Sequence, residues 1–315
     1  MQMDKVAEGK RGGVLCVGAV MADVLCRVPR LPERGEGVVV TERTMRLGGC
    51  AFNSGNAVRQ LGMPCFLLAP LGQGPFAGFI RSELTGRNLG ALEVETTLDC
   101  GTCTCLVEPD GERTMITSPG IERCFDPEWF DRLDTEGYVA GLASGYEVEG
   151  AGGDAIIGFF AAHPELDFYY GPGPRIMGVG EAKHARINAL RPIWHLNELE
   201  ALQFTGASTA DEAGRAIALM CGNACVLTRS EAGASVFFAD GSRIDEPTDP
   251  VCVVDTVGAG DTHLGALAAA RAACLPWSDA LAIANRLAGA VCGVEGGTLS
   301  DSQFASLGLS LWLAS

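Results

Sequence analysis

One stretch near the C-terminal end decides the fold: Val253-Val254-Asp255-Thr256-Val257-Gly258-Ala259-Gly260-Asp261-Thr262-His263. The apolar run 251–254 predicts a buried strand, and the glycines that follow predict a tight turn. The alanine-rich sequence after the turn predicts a helix from about Thr262 to Cys274, which ends before Pro276. A strand, a glycine turn and a helix together aim unpaired backbone N–H groups and the positive end of a helix dipole at one point. That point is suited to an anion.

Asp261 stands at the start of the predicted helix, so we expect its carboxylate beside any anion that is held there. One interpretation is a general base next to a phosphoryl group in transfer. The other is an ordinary acid in the first turn of a helix, which is mildly stabilising. This stretch alone leaves both interpretations open.

The segment from Asp255 to Asp261 resembles the signature of the PfkB carbohydrate kinases, the ribokinase-like family. A second motif of that family is similar to Gly48-Gly49-Cys50-Ala51-Phe52-Asn53, which leads into Leu61-Gly62. The two motifs occur in the family's order, and the resemblance runs from about Val14 to Ser300. It implies one α/β domain over residues 1–315, with a doubly wound, mainly parallel sheet flanked by helices. It also implies a small β-sheet lid, inserted at approximately 20–47 and 99–118.

The composition sets limits on location and partners. A chain of 315 residues is long enough for one large α/β domain or two ordinary ones. The net charge of −16 argues against nucleic acid as a partner, because phosphate backbones would be repelled over most of the surface. We find no apolar run long enough to span a membrane, and the polar segment Met1–Arg11 lacks a signal-peptide core. A cytoplasmic protein with no membrane partner is therefore expected.

Thirteen cysteines occur in the chain, most of them inside apolar runs, where a free thiol acts as a small hydrophobic group. Cys100 and Cys103 form a CxxC, with Cys105 close behind. A zinc site would need a second pair at suitable spacing, and Cys221 with Cys225 matches poorly. We expect structural thiols.

The N-terminal half supplies the residues expected to bind substrate. The apolar run 14–19 predicts a buried strand, and Asp23 follows its end, where ligands bind in open α/β sheets. Gly49 and Asn53 introduce a predicted helix over about 54–61, and glycine lets the backbone approach a ligand closely. The family resemblance implies that Asp23, Gly49 and Asn53 bind sugar hydroxyls. A loop acid and a plain helix cap are the alternatives.

Two segments without a following helix predict the lid. Val38–Thr41 is a strand candidate, and 102–117 is typical of a hairpin around Pro109-Asp110-Gly111. Arg113 on this hairpin is a candidate contact for substrate or phosphate, with a solvated arginine as the alternative. Arg175 lies in a turn after the strand predicted at 166–170 and is a candidate for an acidic sugar or a phosphate, with a plain turn arginine as the alternative.

The region after the strand predicted at 138–142 reads Ala143-Ser144-Gly145-Tyr146. Many relatives place a substrate-binding acid here, and these four residues contain none. Ribose, fructose-like sugars, keto-deoxy acids and nucleosides therefore all remain open as substrates.

The C-terminal half supplies the residues expected to bind nucleotide and metal. Asn197 and Glu200 match the family's Asn-x-x-Glu motif, which implies that Glu200 organises magnesium through water. Magnesium prefers oxygen ligands and usually keeps several waters. The alternative for this pair is a helix cap. The resemblance further implies nucleotide contacts at four residues: Thr228, Ser230, Gly233 and Asn285.

Two of these assignments carry an open alternative. Ser230 stands where the family has glycine, so close backbone approach is less secure there. A buried asparagine satisfied by its neighbours is the alternative for Asn285. The loop at Gly296-Gly297, with the backbone at Asp255 and Val257, resembles a monovalent-cation site of some relatives, which implies K⁺.

The residues and the resemblance together predict an ATP-dependent kinase of a small sugar or sugar-like substrate. Asp261 would take the proton of the attacking hydroxyl, and the N–H groups of Gly258, Ala259 and Gly260 would hold the charge of the transferring group. No Gly-x-x-x-x-Gly-Lys-[Ser/Thr] occurs, so a P-loop kinase is excluded. The alternatives are a nucleoside kinase of the same fold and a catalytically silent sugar or nucleotide binder. A homodimer through the lid is the expected assembly, if one forms.

Overall fold

The apolar run near the N-terminus forms β1 (Gly13–Val17), in which every residue is buried. It lies between β4 (Cys65–Leu71) and β8 (Tyr138–Ser144) and is parallel to both. Parallel strands are covered on both faces, which is why their sequences are almost continuously apolar. The structure is a computed structural model and describes residues 11–131 and 133–311.

The larger sheet has nine strands in the described part of the chain, in the order β13-β12-β11-β10-β9-β8-β1-β4-β5. Its other members are β5 (Gly90–Glu93), β9 (Asp167–Gly171), β10 (Ile193–Asn197), β11 (Ala224–Thr228), β12 (Ala234–Phe238) and β13 (Arg243–Glu246). Two pairs in it are antiparallel, β11 with β12 and β12 with β13, and the other pairs are parallel. The order reverses at β1, so the point between β1 and β8 is the topological switch point.

Helices cover both faces of this sheet. On one face lie α1 (Cys50–Gln60), α2 (Pro75–Gly86), α10 (Ala259–Ala272), α11 (Trp277–Cys292) and α12 (Asp301–Ala305). On the other lie α3 (Pro127–Phe130), α4 (Gly145–Glu149), α5 (Gly153–Ala162), α6 (Ile176–Val179), α7 (Glu181–Ala189), α8 (Glu198–Thr205) and α9 (Ala210–Cys221). Alternate residues of β1 feed the two cores: Val14 and Cys16 join the first, Leu15 and Val17 the second. The predicted doubly wound, mainly parallel fold is confirmed.

A second sheet stands apart from the first. It contains β2 (Met21–Arg27), β3 (Glu42–Gly48), β6 (Thr102–Val107) and β7 (Arg113–Ser118), in the order β3-β2-β6-β7. The predicted hairpin is present as β6 and β7, whose registers pair Thr102 with Ser118 and Val107 with Arg113. We call this four-stranded sheet the lid sheet.

The strand predicted at Val38–Thr41 is wrong, because the strand begins only at Glu42. Val39 is 80% exposed, so this apolar run has nothing to bury itself against. The backbone N–H of Thr41 donates to the carbonyl of Arg27, and regular pairing starts one residue later.

The buried strand predicted at 251–254 is also wrong, because this segment is an exposed loop. Val253 and Val254 are 60% and 58% exposed. The backbone N–H groups of Val254 and Asp255 donate to the carbonyl of Cys292 at the end of α11, so no neighbouring strand is needed to satisfy them. The helix that follows begins at Ala259, three residues earlier than predicted.

In the described part of the chain, no helix is both long and apolar enough to cross a membrane. The polar segment Met1–Arg11 was expected to lack a signal-peptide core, and its residues 1–10 lie outside the described residues. The cysteines are free thiols, and Cys100 and Cys105 are buried. Among residues 11–131 and 133–311, no cluster of His, Cys, Asp and Glu side chains is arranged to hold a metal ion.

Candidate active site

The site lies at the switch point, beyond the carboxyl ends of β1 and β8, where open α/β sheets bind their ligands. After β1 the chain enters the lid sheet, and after β8 it turns directly into α4. The N-terminal ends of α1 and α10 meet at the same place, and several contacts join these two helices. Most of the residues predicted for catalysis and substrate binding therefore share one edge of the sheet.

Asp261 lies in the first turn of α10 and is half-buried. Asn53 of α1 donates from Nδ2 to Asp261 Oδ2 at 3.0 Å, and Ser54 Oγ donates to the Asp261 carbonyl at 2.9 Å. Burial raises the pKa of Asp261 to about 6, although hydrogen bonds from Asn53 and Cys50 act in the opposite direction. Asp261 is therefore ionised at neutral pH and able to accept a proton.

The two helices approach each other closely at Gly265. A Cβ added at Gly265 of α10 would collide with the backbone carbonyl of Ser54 in α1. This close approach is what brings the Asn53 amide within hydrogen-bonding distance of the Asp261 carboxylate.

The turn that opens α10 requires glycine. Gly258 has φ 73°, and a Cβ there would lie 2.5 Å from the carbonyl oxygen of Gly297. The N–H of Ala259 donates to the Thr256 carbonyl at a long 3.3 Å. The N–H groups of Gly258 and Gly260 have no acceptor among the described residues. Unpaired amides at the start of a 14-residue helix are suited to an anion.

Asp255 is held in the loop before this turn, and its side chain is only 5% exposed. Its Oδ1 accepts from the N–H of Val257 at 3.1 Å, its Oδ2 accepts from the N–H of Gly296 at 2.9 Å, and Arg113 forms an ion pair with it. Burial acts to raise the pKa of Asp255, but the hydrogen bonds from Arg113 and the two amides outweigh burial and hold the pKa below its ordinary value.

Two predictions concern this loop. Arg113 was expected either at substrate or in solvent, whereas it pairs with Asp255 and its side chain is 18% exposed. Asp255 and Val257 were expected to hold a monovalent cation such as K⁺. The Asp255 carboxylate itself is surrounded by two N–H donors and a guanidinium and so does not fit a cation. A cation on the backbone carbonyls of this loop stays a prediction.

Asp23 lies on β2, where its carboxylate faces Gly48 of β3. No described residue donates a hydrogen bond to this carboxylate or pairs with it, and burial raises the pKa of Asp23 to about 6. An unpartnered, partly buried carboxylate can accept hydrogen bonds from hydroxyl groups. Gly49 has φ 95°, and a Cβ there would collide with the carbonyl of Ala19, so this position needs glycine for the backbone itself.

An acid missed by sequence reasoning lies beyond β8. Glu147 of α4 is 3% exposed, and Ser144 Oγ donates to its Oε2 at 2.5 Å. Burial, with the nearby charge of Asp261 as a smaller contribution, raises the pKa of Glu147 to about 7. An acid is thus present one residue beyond Ala143–Tyr146. The spacing Ser144-x-x-Glu147, typical of a helix N-terminus, could have indicated it.

Arg175 lies at the rim of the site, in the helical turn after β9. Its guanidinium stacks 5.1 Å from the centre of the Tyr146 ring, and its Nε lies 3.6 Å from Glu149 Oε2. Its charge is therefore shared between an aromatic ring and an acid, and 45% of the side chain is exposed.

Asn197 and Glu200 form a reciprocal capping box at the start of α8. Asn197 Oδ1 accepts from the Glu200 N–H at 2.8 Å, and Glu200 Oε2 accepts from the Asn197 N–H at 3.0 Å. The structural alternative for this pair is therefore present. Burial raises the pKa of Glu200, to which the charge of Asp261 adds, so the two carboxylates share one electrostatic environment. Oxygen donors of this kind fit magnesium.

The turn after β11 holds three of the residues predicted for nucleotide binding. Thr228 Oγ1 donates to the Leu196 carbonyl at 3.4 Å. Ser230, which replaces the family's glycine, has φ 49°, so it keeps the left-handed backbone that favours glycine. Gly233 has φ 85°, and a Cβ there would collide with the Glu246 carbonyl.

Asn285 of α11 is buried and has protein partners for its whole amide. Its Nδ2 donates to the carbonyls of Glu246 and Pro247 at 3.0 and 3.2 Å, and its Oδ1 lies 3.1 Å from His263 Nε2. This arrangement favours the alternative of a buried asparagine that is hydrogen-bonded by its neighbours, and the nucleotide contact stays a prediction. His263 Nδ1 lies in turn 2.8 Å from His195 Nε2, and burial lowers the pKa of both histidines. The sequence carried no signal for this buried pair.

Comparison with known proteins identifies the family. The model of the pfkB family carbohydrate kinases matches residues 12–143 and 182–303. The chain is 33% identical over 297 residues to the uncharacterized sugar kinase YegV of Escherichia coli K12, covering 93% of this chain and 92% of that protein.

Solved structures of low sequence identity share the fold. Ribokinase from Thermotoga maritima superimposes with a TM-score of 0.79 at 16% identity, covering 94% of this chain and 98% of that chain. Aminoimidazole riboside kinase from Salmonella enterica, complexed with aminoimidazole riboside and an ATP analog, gives 0.76 at 19% identity, with coverages of 93% and 99%. The fold is that of the ribokinase-like kinases. The chain belongs to the pfkB family of carbohydrate kinases.

Proposed function

We propose that this kinase transfers the terminal phosphoryl group of ATP to a hydroxyl of a small sugar, with Asp261 as the general base. One observation carries the proposal: Asp261 is held by Asn53 beside the unpaired N–H groups of Gly258 and Gly260. A proton acceptor and an anion-binding cradle within one helical turn are what phosphoryl transfer to a hydroxyl needs.

In the proposed reaction, Asp261 accepts the proton of the substrate hydroxyl while that oxygen bonds to the γ-phosphorus and the bond to the leaving ADP oxygen breaks. The amides of Gly258, Ala259 and Gly260 hold the charge of the transferring group. Alignment of two reactants contributes about 7–11 kcal/mol. A positioned base adds roughly 10²–10⁴-fold in rate, and one anion-hole donor about 2.7–4 kcal/mol. Positioning therefore dominates.

We assign binding of the acceptor to Asp23 on the lid sheet and to Asn53 on α1. The Asp23 carboxylate has no protein partner, so a substrate hydroxyl can donate to it. The Asn53 amide already donates to Asp261, which leaves its carbonyl oxygen for a hydroxyl hydrogen. Arg175 at the rim is the group that an acidic sugar would contact.

We assign the nucleotide side to the turn after β11 and the start of α8. Thr228, Ser230 and Gly233 lie in one turn, in which Ser230 and Gly233 have positive φ. Magnesium would be held through water by Glu200 and by the nucleotide phosphates, where it would neutralise phosphate charge. The ATP analog bound to the Salmonella enterica kinase supports ATP as the donor.

A sugar is preferred over a nucleoside as the acceptor because the family and the E. coli relative are described as carbohydrate or sugar kinases. A nucleoside kinase of the same fold is the second candidate, supported by the riboside in the Salmonella enterica complex. We further propose a homodimer through the lid sheet, whose exposed apolar residues include Met45 and Ile116.

The test is ADP release from ATP and Mg²⁺ with a panel of sugars, keto-deoxy acids, polyols and nucleosides. We expect turnover with at least one sugar and little with nucleosides. Thermal shift with the same panel runs in parallel, because a bound ligand raises the melting temperature by mass action. A melting shift with a sugar, but no ADP release with any acceptor, would favour a silent binding protein and refute the proposed reaction.

A further inference from the structure

An arginine of the lid sheet contacts the loop that precedes the anion hole, which is formed by the N–H groups of Gly258, Ala259 and Gly260. Arg113 begins β7 and forms an ion pair with Asp255, far away in the sequence. Both side chains are largely buried, with 18% and 5% of their surfaces exposed. A buried carboxylate is costly unless a positive group and hydrogen bonds compensate it, so this pair is part of the site's construction.

The Asp255 carboxylate also binds two backbone segments that are distant from each other in the sequence. Its oxygens accept from the N–H groups of Val257 and Gly296, which lie directly before Gly258 and directly before Gly297. Gly258 in turn sits against the Gly297 carbonyl. The first residue of the anion hole is therefore located through Asp255, and Asp255 needs a charge partner to remain an ionised acceptor there.

We infer that the Arg113 guanidinium takes the place of the monovalent cation that the family resemblance implied beside Asp255, so that this chain needs no such cation. A planar guanidinium carries a permanent charge and several donors, and here Nη1 donates to Asp255 Oδ2, the oxygen that also accepts from the Gly296 N–H. Arg113 thus acts as a positioning residue for the anion hole. Because it belongs to the lid sheet, the same ion pair ties the lid sheet to the loop before α10.

The first experiment uses the unaltered protein. Its melting temperature without substrate, and its ADP release with a sugar acceptor, are compared in potassium chloride and in tetramethylammonium chloride at equal ionic strength. We expect the same values in both salts. The activity readout rests on the proposed function, whereas the melting readout does not.

The second experiment removes the guanidinium. We expect Arg113→Gln to melt at a lower temperature in tetramethylammonium chloride and to lose roughly 10²-fold in kcat, the effect of a misplaced catalytic cradle. Adding potassium ions, or millimolar guanidinium chloride, should raise both values. Arg113→Lys keeps a positive charge but lacks the planar guanidinium. Its melting temperature and kcat should lie between those of the unaltered protein and Arg113→Gln.

The matched control is Arg27→Gln, since Arg27 is also a lid-sheet arginine that pairs with an acid of the main body, Glu295, at 2.8 Å. The side chains of this pair are 47% and 31% exposed, far more than those of Arg113 and Asp255, and its loss should confer no response to potassium.

Two outcomes would overturn the inference. One is a potassium-dependent rise in the melting temperature or activity of the unaltered protein. The other is a folded Arg113→Gln that responds to neither potassium nor guanidinium. If no acceptor is phosphorylated at all, the proposed function fails, and the melting comparison still decides this inference.

Discussion

At the scale of single residues, the site concentrates acids in surroundings that resist ionisation. Burial raises the pKa of Asp23 and Asp261 to about 6, and that of Glu147 to about 7. The three differ in their partners: Asp261 accepts from Asn53, Glu147 from Ser144, and Asp23 from no described residue. Asp261 is therefore the acid that is both oriented by the protein and ionised at neutral pH.

The base assignment predicts the behaviour of Asp261→Asn. This change should lower kcat by about 10²–10⁴-fold, because an amide cannot take the hydroxyl proton, while nucleotide affinity changes little. Steady-state kinetics and nucleotide titration measure the two effects. Asp279→Asn is the matched control, since Asp279 occupies the corresponding position in the first turn of α11. Near-normal kcat in Asp261→Asn would refute the assignment.

The same assignment fixes the pH profile. With the Asp261 pKa at about 6, log kcat/KM should rise through about pH 6 and then level off as the base becomes ionised. Asp23 has a similar pKa, so Asp23→Asn separates the two acids: it should keep the rising limb if Asp261 produces it.

Glu147→Gln should stabilise the protein at alkaline pH. The folded-state pKa is raised from 4.5 to about 7, so the protonated form is favoured by folding, and stability from this group is lost as pH rises through 7. The shift corresponds to about 3 kcal/mol. Glutamine is neutral throughout, so its gain in the free energy of unfolding should appear at pH 8 and vanish near pH 4.

Urea denaturation of both proteins at these two pH values measures the difference. A Glu147→Gln protein less stable than the parent at pH 8 would mean that the ionised carboxylate has an essential partner.

At the scale of elements, glycine has a different role in the turn before α10 than in the first turn of that helix. Gly258 is left-handed and touches the Gly297 carbonyl, whereas a Cβ at Gly260 would meet no atom within 4 Å. Substitution of Gly258 therefore tests the folding of the turn, whereas substitution of Gly260 tests the access of a ligand to the amides.

Gly258→Ala should destabilise the protein by about 1–3 kcal/mol, because the methyl group meets a carbonyl and the left-handed backbone disfavours a side chain. Gly260→Ala is the matched control and should melt like the parent. Its kcat/KM should nevertheless fall, because the new methyl group projects into open space beside the amides that we assign to the phosphoryl group. Equal melting temperatures for both variants would contradict the role given to the turn.

At the scale of the whole molecule, the lid sheet has two unlike faces. Residues alternate along β7, so Arg113, which contacts the main body, and Met115 share one face while Ile116 lies on the other. On that outer face, Met45, Val24, Thr104 and Ile116 pair across the four strands. Met45 and Ile116 are 41% and 57% exposed, as befits an interface between two copies.

Ile116→Asp should therefore shift the assembly from dimer to monomer, because the charge would be buried against an apolar partner surface. Light scattering coupled to size-exclusion chromatography over a concentration series measures the mass. Met115→Asp on the opposite face is the matched control and should leave the mass unchanged. A parent protein that is monomeric at every concentration would remove the basis for the proposed dimer.

How far the sequence could predict this molecule depends on how locally each feature is determined. Strands such as β1 and β4 were predictable because a strand covered on both faces is apolar throughout. The run 251–254 is similarly apolar, but its Val254 N–H donates to the carbonyl of Cys292 at the end of α11. Only the tertiary fold reveals this partner.

The site followed the same rule. Asp261 and Asn53 belong to local motifs, and the fold places them in contact. The partner of Arg113, the burial of Glu147 and the pairing of His195 with His263 depend on residues distant in the chain or on burial that no local pattern determines.

The backbone contact between α1 and α10 at Gly265 has a mechanical consequence. Because the two backbones are in contact there and Asn53 and Ser54 bond across the helices, we expect this part of the site to move as a single block, with Asn53 and Asp261 staying together when a ligand enters. We then expect any closing movement to be made by the lid sheet alone. A crystal grown without ligand should already show this part of the site in its working arrangement, with the differences from a liganded crystal confined to the lid sheet.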